Sequence, residues 1–217
     1  YETIDFLNKQ REKDNFPIEH VSHDNTWFRK NRILNKAILK AKTDYIIFID
    51  GDCIIHKHFV KENLKNRSEK TALFGRRLML SEKLTNQSLT ENTLKHLTLF
   101  NFIVTKCKIL EAGLYLPFIS TKKDYGILGC HWSAHKKDLL AINGYDEDYV
   151  LAGVGEDVDI EWRMKESDIK FKSLKFKAIQ YHLNHSLNYT SDAENIDLLI
   201  EKKGLGQIIC LNGILKK

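Results

Sequence analysis

No apolar run in this chain approaches the ~20 residues that a membrane-spanning helix requires, so its 217 residues hold no helical membrane span. No internal repeat and no low-complexity linker divides it, and one domain is expected over residues 1–217. The four cysteines (Cys53, Cys107, Cys130 and Cys210) are far apart, with no C-x-x-C pair. That argues against disulfide and metal–thiolate frameworks and for a reducing, cytoplasmic setting. Neither sign of charge dominates: the net charge is +5, with lysines spread along the chain. Such a balance suits anionic partners without demanding nucleic acid. No signal peptide opens the chain. Tyr1–Gln10 reads as the interior of a helix, so a fragment whose N-terminus lies upstream is expected. The three N-x-S/T sequons (Asn66, Asn86, Asn188) are what chance supplies in an Asn-rich sequence.

What is present is an ordinary globular composition, 42% hydrophobic and 29% charged, at a length able to bury a substantial core. Charged helices are expected at Tyr1–Lys13 and Asn31–Lys42, with a short strand at Pro17–His23 between them. Tyr45–Ile49 is a continuous apolar run, the habit of a strand covered on both faces in a parallel sheet. A helix from His58, a strand over Thr71–Leu80 carrying Arg76 and Arg77, a strand-like Tyr125–Ala134 and a short helix Lys136–Ile142 follow. Leu84–Glu111 is partly helical without clear pattern. An acidic helix Glu156–Glu166 and a kinked edge strand or two short strands in Lys170–Lys177 precede a strand at Ala178–Tyr181. The alternation indicates an α/β fold with crossover connections.

Three constellations carry chemistry. Residues 46–55 read I-I-F-I-D-G-D-C-I-I, which sets Asp50 and Asp52 around Gly51 at the end of the most hydrophobic segment. Open α/β sheets bind ligands at strand ends, and two carboxylates two positions apart on an extended chain point the same way. They make a hard-oxygen site for Mn²⁺ or Mg²⁺ with a phosphate-bearing ligand, or else a solvated D-G-D turn. Gly155 opens the second, G-E-D-V-D, with Glu156, Asp157 and Asp159 in the first turn of a helix. The helix dipole alone favours acids there; a glycine-rich loop before them also lets one serve as a general base. In the third, His182 ends a strand and His185 follows. Either could add a nitrogen ligand to an Asp/His metal set, or be an ordinary hydrogen-bonded histidine.

Taken in order, W-F-R-K-N-R-I-L-N-K-A-I, Y-I-I-F-I-D-G-D-C-I, G-C-H-W-S-A-H-K-K-D-L-L-A-I-N-G-Y-D-E, G-E-D-V-D-I-E-W-R and A-I-Q-Y-H-L-N-H resemble the inverting GT-A glycosyltransferases. The likeness is to glycosyltransferase family 2 of bacterial surface polysaccharide synthesis, and to galactosyltransferase and chondroitin-polymerase domains. It spans roughly residues 16–185. The resemblance implies a Rossmann-like GT-A fold with a mixed, mostly parallel sheet, here lacking the first strand-helix-strand unit. It implies a nucleotide-sugar donor, with a UDP-sugar expected, a saccharide or lipid-linked glycan acceptor, and peripheral association with the inner face of the cell membrane. Asp52 and His182 would hold Mn²⁺ or Mg²⁺, with His185 as the substitute, and Asp50 would lie nearer the ribose. Asp157 would be the general base and Glu156 would orient a sugar. Phe28, Lys30 and Arg32 would face the nucleotide and diphosphate, with Lys136 near the donor. Where galactosyltransferase-type enzymes carry W-G-G before E-D, this chain has Gly153-Val154-Gly155. The alternative is a non-catalytic nucleotide- or glycan-binding module of the same fold. A metal-dependent phosphotransferase or nuclease would leave G-E-D without a role.

Overall fold

The structure, a computed structural model, describes residues 2–13, 17–22, 29–122, 126–151, 154–186 and 193–216. The expected roles of Phe28, Tyr125 and Gly153 fall outside these residues. The elements in chain order are α1 (Glu2–Lys13), α2 (Lys30–Lys40), β1 (Tyr45–Phe48), β2 (Cys53–Ile55), α3 (Phe59–Asn66), β3 (Thr71–Phe74), β4 (Arg77–Met79), α4 (Glu82–Thr90) and α5 (Leu99–Val104). After a 3-10 turn at Leu110–Gly113 come β5 (Trp132–His135), α6 (Lys136–Ala141), α7 (Asp157–Glu166), β6 (Lys170–Ser173), β7 (Gln180–His182) and α8 (Ala193–Gly204).

Two sheets carry these strands. The first has the order β1-β5-β3-β6 and the second β2-β7-β4. β5 runs antiparallel to both β1 and β3, whereas β3 and β6 are parallel; in the second sheet β7 is antiparallel to β2 and parallel to β4. The apolar run of β1 is therefore not the mark of parallel neighbours, since its pairing is antiparallel. Its two faces are both covered, as the pattern requires: Ile46 and Phe48 join a core with Ile38, Trp132, Tyr145 and Met164, while Tyr45 and Ile47 pack with Phe59 and Leu73. Phe48 stacks on Trp132 at 4.5 Å between centroids, directly across the strand pair. Burial on both faces reads out in sequence; the direction of the neighbouring strand does not.

Other expectations are corrected in the same way. Pro17–Ser22 forms no strand, and Tyr125–Ala134 reduces to Trp132–His135. The expected single strand Thr71–Leu80 breaks at Gly75 and Arg76, which sends its halves into different sheets. The His131 ring fills the space at Gly75, where an added Cβ would lie 2.0 Å from that ring, and Gly75 N–H donates to the His131 carbonyl at 3.0 Å. Lys170–Lys177 resolves into the edge strand β6 followed by a turn, with the phase slip at Leu174 marking where pairing ends.

α7 is anchored by Arg163, fully buried, which meets Asp159 one turn away (Nη2 to Oδ2, 2.7 Å) and donates to the Ile142 carbonyl at 2.9 Å. Tyr149 Oη–H donates to the other Asp159 oxygen at 3.2 Å. Asp159 therefore serves structure, because its charge is spent on a buried guanidinium. The neighbouring acids of the same helix turn are left for other work.

Candidate active site

The D-G-D turn is the crossing between the two sheets: β1 ends before it and β2 begins after it, closed by Cys53 N–H donating to the Asp50 carbonyl at 3.2 Å. An extended chain would aim both carboxylates alike; the turn instead gives each its own partners. Asp50 accepts from the Lys30 ammonium at 3.0 Å, and the same ammonium lies 2.6 Å from Glu156. Asp52 Oδ2 lies 3.3 Å from His182 Nε2 and 3.0 Å from His185 Nε2.

Local sequence explains why Lys30 reaches Glu156. The buried face of α2 carries Asn31 and Asn35, one turn apart, and both bind the N-G-Y-D-E loop that leads into α7. Asn31 Nδ2 donates to the Asp146 carbonyl at 2.6 Å; Asn35 Nδ2 donates to the Tyr145 carbonyl and its Oδ1 accepts Tyr145 N–H, each at 2.8 Å. α8 ties down the other side of the loop through Lys202, which meets Asp146 and Asp148, the latter at 2.6 Å. Gly155, with φ of +111°, turns the chain into α7 against the Tyr149 ring, a conformation that side chains with a Cβ rarely adopt.

At the head of α7, Glu156 and Asp157 are shielded from water. Burial pushes the Glu156 carboxyl up to about 7; Lys30 opposes that and the Asp157 charge adds to it. Burial likewise raises Asp157, against the Gly129 N–H that donates to its Oδ2 at 2.7 Å. Its other oxygen, Oδ1, is buried with no hydrogen-bond partner among the described residues. A half-buried carboxylate with one oxygen held and the other, itself buried, unclaimed has the geometry of a base awaiting a proton donor.

Gly129 is what lets these acids sit so close to the backbone. A Cβ there would lie 2.7 Å from Asp157 Oδ1 and 2.7 Å from Glu156 Oε1. Gly129→Ala is expected to displace both acids and lower turnover by about 10- to 100-fold, since a shift of about 1 Å at a reacting group costs that much. Initial rates beside a thermal melt check this; an unchanged rate would show that the acids' position does not matter.

The second group is Asp52, Cys53 and His182, each offering one ligand atom, with these atoms all within 4.8 Å of one another. Burial works against ionisation of Asp52, but His182, the Cys53 S–H and His185 hold its carboxyl below the usual range. Burial, then Arg77, lowers His182, which keeps its imidazole neutral and able to donate a lone pair. An oxygen, a nitrogen and a sulfur donor so grouped fit a divalent cation.

Of the other expected residues, Lys30 joins the cluster and Arg32 is exposed on α2. Lys136 is not brought there: its ammonium donates to the Leu39 and Ala41 carbonyls at 3.2 and 2.8 Å. It closes the C-terminal end of α2 beside the Tyr45–His135 pair, at the opposite end of β1 from Asp50. Phe28 lies outside the described residues. Sequence reading put Arg77 on a strand but gave it no role in the site; it is half-buried on β4, and its Nη1 donates to Cys130 Sγ at 3.0 Å. Its charge lowers both the Asp157 carboxyl and the His182 imidazole. Only its place one residue after the Gly75–Arg76 break signalled it. A cavity of about 190 Å³ lined by Lys30, Leu34, Ile46, Phe48, Asp50 and Gly129 opens beside the cluster.

A comparison with curated proteins found no match. The family model described as "Glycosyl transferase family 2" matches residues 2–114, more than half of the chain, and takes in Lys30, Asp50, Asp52 and Arg77. Gly129, Glu156, Asp157 and His182 lie beyond the matched span, yet the fold returns them to the D-G-D turn. With its mixed parallel and antiparallel sheets flanked by helices, the fold is a Rossmann-like GT-A fold. Members of this family are glycosyltransferases that take a nucleotide-sugar donor and an acceptor, commonly with a divalent metal. The chain belongs to glycosyl transferase family 2.

Proposed function

We propose that the chain moves a sugar from a nucleotide-sugar, a UDP-sugar in the first instance, to a hydroxyl of a saccharide or lipid-linked glycan, with inversion. The observation that carries this is Asp157: a half-buried carboxylate of raised pKa with a free oxygen, joined to the Asp52–His182 pair through Arg77, whose charge acts on both Asp157 and His182. In an inverting displacement the acceptor oxygen attacks the anomeric carbon as the bond to the diphosphate oxygen breaks. The acceptor's proton passes to Asp157, and no covalent intermediate requires a second nucleophilic carboxylate. Glu156, beside the base and bridged through Lys30 to Asp50, would orient the sugar.

Asp52 and His182 would hold Mn²⁺ or Mg²⁺, which when bound offsets the charge that develops on the departing diphosphate. Lys30 and Arg32 would bring further positive charge to the nucleotide side, and Arg77, close enough to Asp50 to feel its charge but in no carboxylate ion pair among the described residues, would add to it.

No helix of the described residues is long and apolar enough to cross a membrane. α5 nevertheless turns Phe100, Ile103 and Val104 outward, opposite the buried Phe102, and exposed Lys95, Lys106 and Lys108 flank it. An apolar face rimmed with lysine suits the surface of an anionic bilayer. This supports a lipid-linked acceptor met at the cytoplasmic face of the membrane.

The test is product stereochemistry. Incubation with a panel of UDP-sugars and glycan acceptors is expected to release UDP and form a product whose anomeric configuration, read by NMR, is opposite to the donor's. A product of retained configuration would rule out the assigned role of Asp157.

A further inference from the structure

We propose that Cys53 is a ligand of the divalent cation, so that the site prefers borderline and thiophilic ions such as Zn²⁺, Co²⁺ and Cd²⁺ over Mg²⁺ and Mn²⁺. This rests on the reading that Asp52 and His182 form a metal site, and it changes what that site binds.

The placement follows from strand register. β2 and β7 are antiparallel with Cys53 directly opposite His182, and directly opposed residues put their side chains on one face of a sheet. Asp52, one residue earlier in the D-G-D turn, completes a set whose ligand atoms all lie within 4.8 Å of one another. Cys53 Sγ stands 3.4 Å from Asp52 Oδ1, and His182 Nε2 stands 3.3 Å from Asp52 Oδ2. Bonds of about 2.0–2.3 Å to a tetrahedral ion place neighbouring ligand atoms roughly 3.3–3.8 Å apart; each of these separations lies in that range, one to each oxygen of the Asp52 carboxylate, so a turn of that carboxylate brings a single oxygen to both partners. His185, 3.0 Å from the same Asp52 oxygen, stands next to the set as a further nitrogen donor.

The donor set decides the metal. Mg²⁺ and Mn²⁺ are matched by carboxylate, carbonyl and water oxygens, whereas thiolate selects softer ions. On binding, the Cys53 S–H bond is exchanged for a sulfur–metal bond and the proton leaves to solvent. The second nearby thiol, Cys130, is buried, contacts the Cys53 thiol and accepts from Arg77 at 3.0 Å, so it supports Cys53 from behind rather than joining the Asp52–His182 set. The scattered spacing of the cysteines hides this arrangement, because the second and third ligands come from a turn and a strand about 130 residues apart in sequence.

The experiment is a titration of the purified, reduced chain with Co²⁺ alone, followed by absorption spectroscopy. The expected result is an intense near-ultraviolet thiolate-to-cobalt charge-transfer band saturating at one ion per chain. Cys53→Ser is expected to remove the band and weaken Co²⁺ at least about tenfold while leaving Mg²⁺ affinity within about twofold. Cys130→Ser is expected to keep the band, and Zn²⁺ but not equimolar Mg²⁺ to displace the cobalt. A second readout needs no variant: Zn²⁺ is expected to protect Cys53 from alkylation by iodoacetamide, located by mass spectrometry. Visible cobalt bands without the charge-transfer band, or a band that survives Cys53→Ser, would overturn the thiolate ligand and leave the Asp52–His182 site standing. Absence of any Co²⁺ binding would overturn both.

Discussion

Asp52→Ala is expected to abolish Mn²⁺-dependent binding of UDP, with a loss of affinity of at least about 100-fold. Changes outside a metal's immediate ligands already cost up to about that much, and the removal of a ligand costs more. Asp52 is the one carboxylate at which both histidines converge, at 3.3 and 3.0 Å, so no other described acid can take its place beside His182. Isothermal titration of UDP into the native chain and the variant, each with and without Mn²⁺, reads the effect directly. In the native chain metal should strengthen binding, because the cation shields the diphosphate from Asp50 and Asp52. In the variant the metal-dependent part should vanish, leaving whatever Lys30 and the cavity beside it contribute. Asp52 is about a third exposed, so the variant should fold, and a melt beside the titration checks that. Binding indifferent to both Mn²⁺ and Asp52 would remove the metal site from this account.

Much of this site could be read from the chain, and what could not has a common cause. Asp50, Asp52, Glu156, Asp157 and His182 stood out because each sits where a run of regular structure stops or starts, and such boundaries are visible in sequence. The turn at Gly51 and the helix start after Gly155 announce themselves in this way. The direction of strand pairing does not. β1 is apolar because Ile38 and Trp132 cover one face and Phe59 and Leu73 the other, and that pattern is the same for a parallel or an antiparallel neighbour. Lys136 was placed near the donor by resemblance, yet its ammonium satisfies the carbonyls that end α2, a local need that neither pattern nor resemblance reveals. Arg77, Gly129 and Cys53 were missed for a third reason. Their roles exist only once two separate sheets and the head of α7 meet, and no spacing along the chain encodes that meeting.

Asp157→Asn is expected to lower kcat by about 10²- to 10⁴-fold, the usual worth of a positioned general base, while UDP affinity changes by less than about threefold. The amide is isosteric and keeps an oxygen for the Gly129 N–H that now holds Oδ2 at 2.7 Å, so the backbone need not move. What it loses is the basicity of the unclaimed Oδ1. A fall in kcat without a fall in nucleotide affinity separates this role from that of Asp52, whose loss should act first on binding. The pH profile gives an independent signature. A base works only when deprotonated, and burial raises the Asp157 carboxyl. The acid limb of kcat/KM should therefore lie above the range of an ordinary aspartate, with activity rising as pH rises through it. Glu156, pushed up to about 7, adds a second effect on stability. Its folded pKa exceeds its unfolded value, so the stability it contributes is complete below the unfolded pKa and is lost as pH rises through about 7. Glu156→Gln should flatten that part of the stability curve, whereas Asp157→Asn, which removes one of the charges that raise Glu156, should move it to lower pH and remove the rate. If Asp157→Asn kept more than a tenth of native turnover, proton transfer would have to be assigned to another group, and Glu156 is the acid that stands nearest.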